Sequence, residues 1–411
     1  MKRHFVFSVL FAFAGMSVAQ TAKEKSLSKT GQGREELAQD LALVKSMSAP
    51  APAGKSSSGK SGLIAEPVRK ILASALEMRN GIAYAPVKQG KETVGMAPFS
   101  GIALVMWPNN RVYTEQGYLN GLKHGKYQEN TEKGTFVASE TWANGKKNGP
   151  FQYADEKTGI VVAVGEFLED SLHNTVKGFY MNGVTQYVKH YNRGVRNGEA
   201  ISYFDNGRTE QIATFVNDVP HGAVIAFYAD SILRYIKEYN MGVPNGRFYL
   251  FHRNGCAASE DYYKNGEHDS ISRVWDAVSC NLISESSWRS GKKNGTFIQY
   301  NAFGDTLRIE NYFNGVLEGR FVDIREVPND VTKRVELHVE SEGYYRDGLK
   351  FGPWKHGMVS HYQQREGTYD DDGVMVGDWM FYDNKGLPLL NQTYDVEGNL
   401  VKEKYIKVKK K

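Results

Sequence analysis

Apolar and polar residues alternate along much of the chain in short runs. Ile201 and Tyr203, Ile225 and Phe227, Tyr249 and Phe251, and Ile298 and Tyr300 each alternate with their neighbours. That is the period-2 pattern of a half-buried strand. Glycine cuts the runs at three recurring positions. The first holds Gly121, Gly145, Gly194, Gly242, Gly266, Gly291, Gly315 and Gly348, with Asp170 and Asp218 substituting. The second follows four residues later, from Gly125 to Gly352, and the third nine residues after that, as at Gly134, Gly183, Gly207, Gly255 and Gly304. Asn or His precedes most glycines of the second position. Those residue types tolerate positive φ, and Asn-Gly favours turns that match strand twist. Each unit of the pattern is therefore expected to hold two chain reversals separated by extended runs.

An aromatic before the first glycine keeps the phase. It runs through Tyr118, Trp142, Phe167, Tyr191, Phe215, Tyr239, Tyr263, Trp288, Tyr312, Tyr345, Tyr369 and Tyr394, in steps of 24 or 25 except for one of 33. A weaker copy begins at Val94. Fixed-period similarity of this kind marks a repeat architecture. A second aromatic row, Phe179, Tyr203, Phe227, Phe251, Trp275 and Tyr300, is expected to stack from repeat to repeat as the core, each ring burying about 150–250 Å². The expected fold is all-β: an elongated single-layer antiparallel sheet of tandem 24-residue β-hairpins, with a short N-terminal helical segment. The step of 33 is accommodated by residues 320–343, which read as a hairpin with longer arms and a Pro-Asn-Asp turn. Such a hairpin projects past the others, as a tolerated insertion or as a contact site.

Ahead of the repeats, Lys2, Arg3, the apolar run Phe5 to Ala14 and Ser17-Val18-Ala19 read as a signal peptide, residues 1–19, cleaved before Gln20. The apolar run is too short to span a bilayer, and no cysteine follows the cleavage point, so a lipoprotein is not expected. The mature chain is expected in the periplasm, on the cell surface or outside the cell. Residues 20–62 read as flexible and of low complexity, with a short helical pattern at Glu36 to Lys45. Val68, Ile71, Leu72, Ala75 and Leu76 form an apolar stripe between Pro67 and Arg79. Pro67 suits a helix start and Asn80-Gly81 a stop. Residues 63–92 are thus expected to supply a capping helix and lead-in, residues 93–400 the repeats, and residues 401–411 a basic tail.

The formal charge of +4 comes from 51 basic and 47 acidic residues. The tail alone has six lysines against one glutamate. The repeat body is near neutral, which does not fit a nucleic-acid binder. Chemistry is sparse. His124, His173 and His221 share one turn position in different repeats, about 20 Å apart at strand spacing for copies two repeats distant, too far to share a metal. Asp370-Asp371-Asp372 reads as a solvated turn. With no nucleophile elbow, phosphate loop or metal motif present, no catalytic, cofactor-binding or metal residue is assigned, and the chain is not expected to be an enzyme. Cys256 and Cys280 are a candidate disulfide. Export favours the bond. Equivalent residues of adjacent repeats, however, lie about 9–10 Å apart in a regular sheet, beyond disulfide reach.

The stretches YLNGLKHGKY, WANGKKNGPF, YNMGVPNGRF, WRSGKKNGTF and YRDGLKFGPW resemble MORN-type repeats, closest to the bacterial variant known as YwqK-type antitoxins. The resemblance covers roughly residues 94–400. It implies curved sheets of successive hairpins acting as scaffolds, dimerising modules or lipid-associated adaptors. An antitoxin role fits poorly with export. Choline- and glucan-binding cell-wall repeats are similar in length, but their Gly-x-Trp-Tyr-Tyr pattern is poorly matched. The expected function is a non-catalytic, exported interaction scaffold of the cell envelope, whose partner is another envelope protein or a second copy of itself. The alternative is a polysaccharide- or lipid-binding module using exposed aromatics.

Overall fold

Two-residue turns set the architecture. In Asn120-Gly121, Asn144-Gly145, Met241-Gly242, Asn314-Gly315 and Asp347-Gly348 both residues have positive φ, between 47° and 89°. This is the hairpin turn whose twist matches that of the strands it joins. Asp170 and Asp218 take the same conformation where glycine is missing, at φ 69° and 67°. The computed structural model describes residues 68–328, 335–357 and 364–406. The segments expected to be a signal peptide, a flexible stretch and a helix at Glu36–Lys45 lie outside them, as do residues 407–411. Twenty-nine strands belong to one open, mostly antiparallel sheet, and three more form a small separate sheet. The described residues fall into an N-terminal unit ending at Leu233 and a C-terminal unit beginning at Arg234.

The second glycine is not a reversal. The strand Lys146–Ala154 runs straight through Gly149, and Lys292–Tyr300 through Gly295. Across from each, a single residue of the neighbouring strand faces three residues of the glycine's own strand. The register slips between Glu140 and Trp142, between Lys189 and Tyr191, and between Ser286 and Trp288. The single residues opposite, Thr141, His190 and Ser287, are the side chains a Cβ on Gly149, Gly198 and Gly295 would crowd. The glycine thus makes room for a β-bulge. The third position is a true reversal. At Asn182, Asn206 and Asn254 the side-chain oxygen accepts the N–H two residues on. The same side chains donate to the carbonyls of Asp205, Ala229 and Ala277 in the next tip. Each tip is thereby tied to its successor.

Among the described residues 68–79 of the segment expected to be a helix, no α-helix forms. Lys70–Leu72 is a strand lying parallel to Gly101–Met106, Ala73–Ala75 is a single 3-10 turn, and Glu77–Arg79 opens the small sheet with Ile82–Gln89 and Glu92–Pro98. Asn80-Gly81 is one more hairpin turn, with φ 48° and 80°. Ile71 and Leu76 still turn inward, against Ala85, Phe99 and Ala103. Ala83 N–H donates to Gly121 C=O and Gly121 N–H to Phe99 C=O, both at 2.8 Å. A hairpin and an edge strand therefore cover the first repeat where a helix was expected. At the other end, Leu400–Tyr405 pairs with Pro388–Tyr394, so the sheet continues into the segment read as tail.

The long hairpin is present. Gly319–Pro328 pairs with Val335–Arg346 over ten registered positions, from Gly319 opposite Tyr345 to Pro328 opposite Val335. In the C-terminal unit the core lies on one side of the sheet: Phe321, Trp354, Tyr369, Trp379, Phe381 and Leu390 are all buried. Two glycines make that possible. A Cβ on Gly343 would overlap the ring of Trp354, and one on Gly367 the ring of Trp379.

Candidate functional site

The continuous line of ring contacts is built from the aromatics before the two-residue turns and those two residues after the bulge glycines. In the C-terminal unit Tyr239 meets Phe248 at 5.4 Å, Phe248 meets Tyr263 at 4.6 Å, Trp288 meets Phe297 at 5.5 Å and Phe297 meets Tyr312 at 5.1 Å. Trp354 meets Tyr345 at 5.2 Å and Tyr369 at 6.0 Å, and Tyr369 meets Trp379 at 5.1 Å. Cations lie on these rings. Lys123 is 4.3 Å from Trp142, Arg196 4.2 Å from Phe215, Lys293 4.6 Å from Tyr312 and Lys350 4.7 Å from Trp354. Contacts of this kind contribute about 0.5–2 kcal/mol each. The polar head of the ring points back two residues: Trp142 donates to Glu140, Trp288 to Ser286, Tyr312 to Glu310 and Tyr394 to Gln392. Burial, and then the Glu310 carboxylate, push Tyr312 up to about 12.

The row expected to form the core is buried in part. Phe227 and Phe251 are buried, at 3% and 6% exposure, while Tyr203, Trp275 and Tyr300 are half-buried. Phe251 packs on Tyr249, and Tyr249 stands opposite Glu260, whereas Phe248 stands opposite Asp261. Successive residues of a strand alternate between faces, so this row and the ring line lie on opposite sides of the sheet.

Cys256 and Cys280 are bonded, with Cα atoms 5.7 Å apart. The wider spacing expected from a regular sheet does not apply, because the two residues are not equivalent. Cys256 closes a five-residue tip, in which His252 N–H donates to Cys256 C=O. Its neighbour runs from Asp276 to Asn281, one residue longer, and Cys280 takes the left-handed position at φ 58°.

Two polar clusters accompany the rings. Glu140 is buried and accepts from Lys147 at 2.7 Å, Tyr153 at 2.6 Å and Trp142 at 3.1 Å. Ser272 is buried too, and its hydroxyl donates to Asp261 at 2.7 Å. His268 Nε2 lies 2.5 Å from the Tyr263 hydroxyl. The serine proton thus goes to the carboxylate and the imidazole is held by the phenol, which is a tie under the rings. Of the turn residues, Asp370 caps its own turn by accepting from Asp372 and Val374, and Asp371 pairs with Arg346 at 2.8 Å. His173 Nδ1 accepts from Arg193 N–H at 3.4 Å. Among the described residues no three metal-ligating side chains converge.

His356 is the titratable group at the centre of the buried cluster. Its ring stacks between Trp354, 5.4 Å away, and Trp379, 6.0 Å away, and its Nε2 lies 3.2 Å from the Tyr369 hydroxyl. Burial, and then the Lys350 and Arg365 cations, push it down to about 4. The folded state therefore takes up this proton at lower pH than the unfolded chain. The stabilisation is complete above about pH 6.5 and is lost progressively between about 6.5 and 4. The C-terminal unit is expected to lose roughly 2 kcal/mol over that window through this group. Melting curves at pH 7 and pH 4 should show a smaller drop for His356→Phe than for the wild type.

On the other side of the same strands an open groove of about 720 Å³ runs across the sheet. Glu342 stands opposite Lys355, Lys355 opposite Glu366, Glu366 opposite Met380 and Met380 opposite Asn391, so five adjacent strands put one row of side chains into it. Arg320, Tyr344, Asp378 and Tyr382 also line it. Lys355 is 3.6 Å from Glu342, Tyr382 donates to Glu366, and Thr393 donates to Asp378 at 2.6 Å. Tyr344 remains about half exposed. The groove's residues carried no sequence signal beyond strand alternation. The nearest clue was the glycine pair at 343 and 367, which thins the sheet beneath it.

No family model matches this chain, and no curated protein matches it. Among solved structures it is similar to a crystal structure of TcdB2-TccC3-Cdc42, with 9% identity, a TM-score of 0.16 and coverage of 79% of this chain and 22% of that one. A crystal structure of TcdB2-TccC3 is similar at 8% identity and a TM-score of 0.14, over 79% of this chain and 23% of that one. The chain spans under a quarter of these proteins' length, and TM-scores this low carry no argument.

Proposed function

We propose that this chain is an exported, MORN-like repeat protein that serves as a non-catalytic interaction scaffold of the cell envelope. The groove of the C-terminal unit is the observation that supports the reading most. It is open, it crosses five strands, and its acids and bases alternate, a surface suited to docking another protein's charged face. The turn motifs that resemble MORN repeats, the open sheet and the expected signal peptide agree with it. Reversing one charge of the row tests it. Envelope proteins captured by the wild type should be lost from Lys355→Glu, and cell fractionation should find the chain outside the cytoplasm. Capture unchanged by the reversal, or a cytoplasmic chain, would sink the proposal.

Tyr344, standing half exposed beside Asn391 and Asp378 in the lining, favours a second reading, a polysaccharide laid along the groove. In-register rings elsewhere are covered by the chain's own lysines and arginines, which weighs against a row of bare aromatic platforms. Retention on cell-wall polymer that is lost in Tyr344→Ala would move the choice to the second reading.

A further inference from the structure

The one hairpin that breaks the repeat length has a self-complementary strand. Its first arm, from Ile324 to Pro328, pairs only with Val339 to Val335 among the described residues. Pairing with the preceding strand ends at Asp323, and pairing with the following strand begins at Ser341. Among the described residues, five positions of each arm are thus unpaired with the neighbouring strands, with Gly357 lying against the carbonyl of Val339. The two faces of this ribbon differ. Val335, Leu337 and Val339 share one face, and all three are about half exposed. The opposite face carries Arg325 3.2 Å from Glu340 and His338 3.4 Å from Glu336, with Val327 across from Glu336, while Glu326 stands across from Leu337 on the first face. A two-stranded ribbon with an uncovered apolar face is marginal in water. The first arm's edge is approached by Asn301, whose amide donates to Glu326 at 2.9 Å. No third strand among the described residues pairs with the second arm between Val335 and Val339.

We propose that two copies of this chain associate by antiparallel pairing of their Val335–Val339 strands about a two-fold axis at Leu337. The sequence Val-Glu-Leu-His-Val is what points to a second copy. Reversed against itself, Val335 faces Val339, Leu337 faces Leu337, and Glu336 faces His338. One face of the two joined strands is then six aliphatic side chains, and the other holds two carboxylate–imidazole pairs in place of like charges. Directly opposed residues in such a pairing have Cα atoms about 4.5–5.5 Å apart, and each favourable pair contributes about 0.2–1 kcal/mol. Charges on an edge strand ordinarily repel a second strand. Here the order of the charges makes the edge attractive to its own copy, and a two-fold closes the contact without leading to a filament. The patch is small, so a concentration-dependent dimer is expected, not a permanent one.

Sedimentation of the full chain from about 1 to 100 µM should show the dimer fraction rising. Leu337→Lys places like charges on the axis and should weaken association at least about tenfold, with an unchanged circular dichroism spectrum and melting temperature. The exchange Glu336→His with His338→Glu keeps every pairing and should still dimerise. A cysteine on the axis is within disulfide reach of its mate. Under mild oxidation Leu337→Cys should therefore cross-link far faster than Val396→Cys, whose site is more exposed and lies elsewhere in the same unit. A monomer throughout the range, a Leu337→Lys variant that dimerises like the wild type, or equal cross-linking of the two cysteine variants would each overturn the proposal. Any of these outcomes leaves the groove reading to its own test, because Lys355 is not part of this edge.

Discussion

Trp379→Ala is expected to destabilise the C-terminal unit by about 3–5 kcal/mol, the cost of emptying a fully buried indole site. Trp379 has no exposed surface, touches Tyr369 and His356, and carries the Arg365 guanidinium 5.4 Å from its ring. The cavity would close poorly. Gly367 has no side chain to move into it, and the flanking Phe381 and Leu390 are already packed on the same cluster. Trp379→Phe should cost much less, because among the described residues the indole N–H has no partner whose loss would add to the penalty. Urea denaturation of the full chain checks both, with Tyr344→Ala as a half-exposed control expected within about 0.5 kcal/mol of wild type. A Trp379→Ala loss below about 1 kcal/mol would show that the buried ring cluster is not what holds this unit together.

The second large effect is expected from the disulfide. The bond between Cys256 and Cys280 closes a loop with a sequence separation of 24. In the chain-entropy account, constraining a loop of that length in the unfolded state contributes about 3 kcal/mol. Melting in reductant should therefore lower the C-terminal unit's transition. The double variant Cys256→Ser with Cys280→Ser should reproduce the lowered value and be insensitive to reductant. A wild type that melts identically with and without reductant would refute this. Part of the effect falls at one place in the fold. Asn254 donates to Ala277 at 2.7 Å, so the tip that holds Cys280 is fastened to its neighbour twice.

Much of the architecture could be read from spacing. The two-residue turns were legible because Asn-Gly, and Asp where glycine is missing, leave few backbone alternatives. The second glycine misled, since a bulge and a reversal both ask for positive φ and differ only in what stands across the ladder. That partner, Thr141 for Gly149 or Ser287 for Gly295, is not visible in the glycine's own neighbourhood. Val68, Ile71, Leu72, Ala75 and Leu76 fit a helical period, yet tertiary pairing decided the segment, as Lys70–Leu72 completes the edge beside Gly101–Met106. The cue that should have outweighed the period was Asn80-Gly81 followed by an alternating run, the same phrase that begins each hairpin later. The rings of the second row were correctly placed in strands, but on the face away from the ring line, because the two rows stand three residues apart on one strand, as Phe248 and Phe251 do. The disulfide was undecided on spacing alone since one tip carries an extra residue, which a fixed period hides. The groove was not legible, because its side chains meet only once five strands are laid side by side.

Within each unit nearly every strand bonds to the one before it and the one after it in the chain, and the tips are tied to their immediate successors. Such a fold has little need of residues far away in the chain. Local contacts of this kind speed structure formation and let it begin at many points. A chain delivered slowly, one end first, could close each hairpin onto the last as it emerged, with no strand left waiting for a mate still to come.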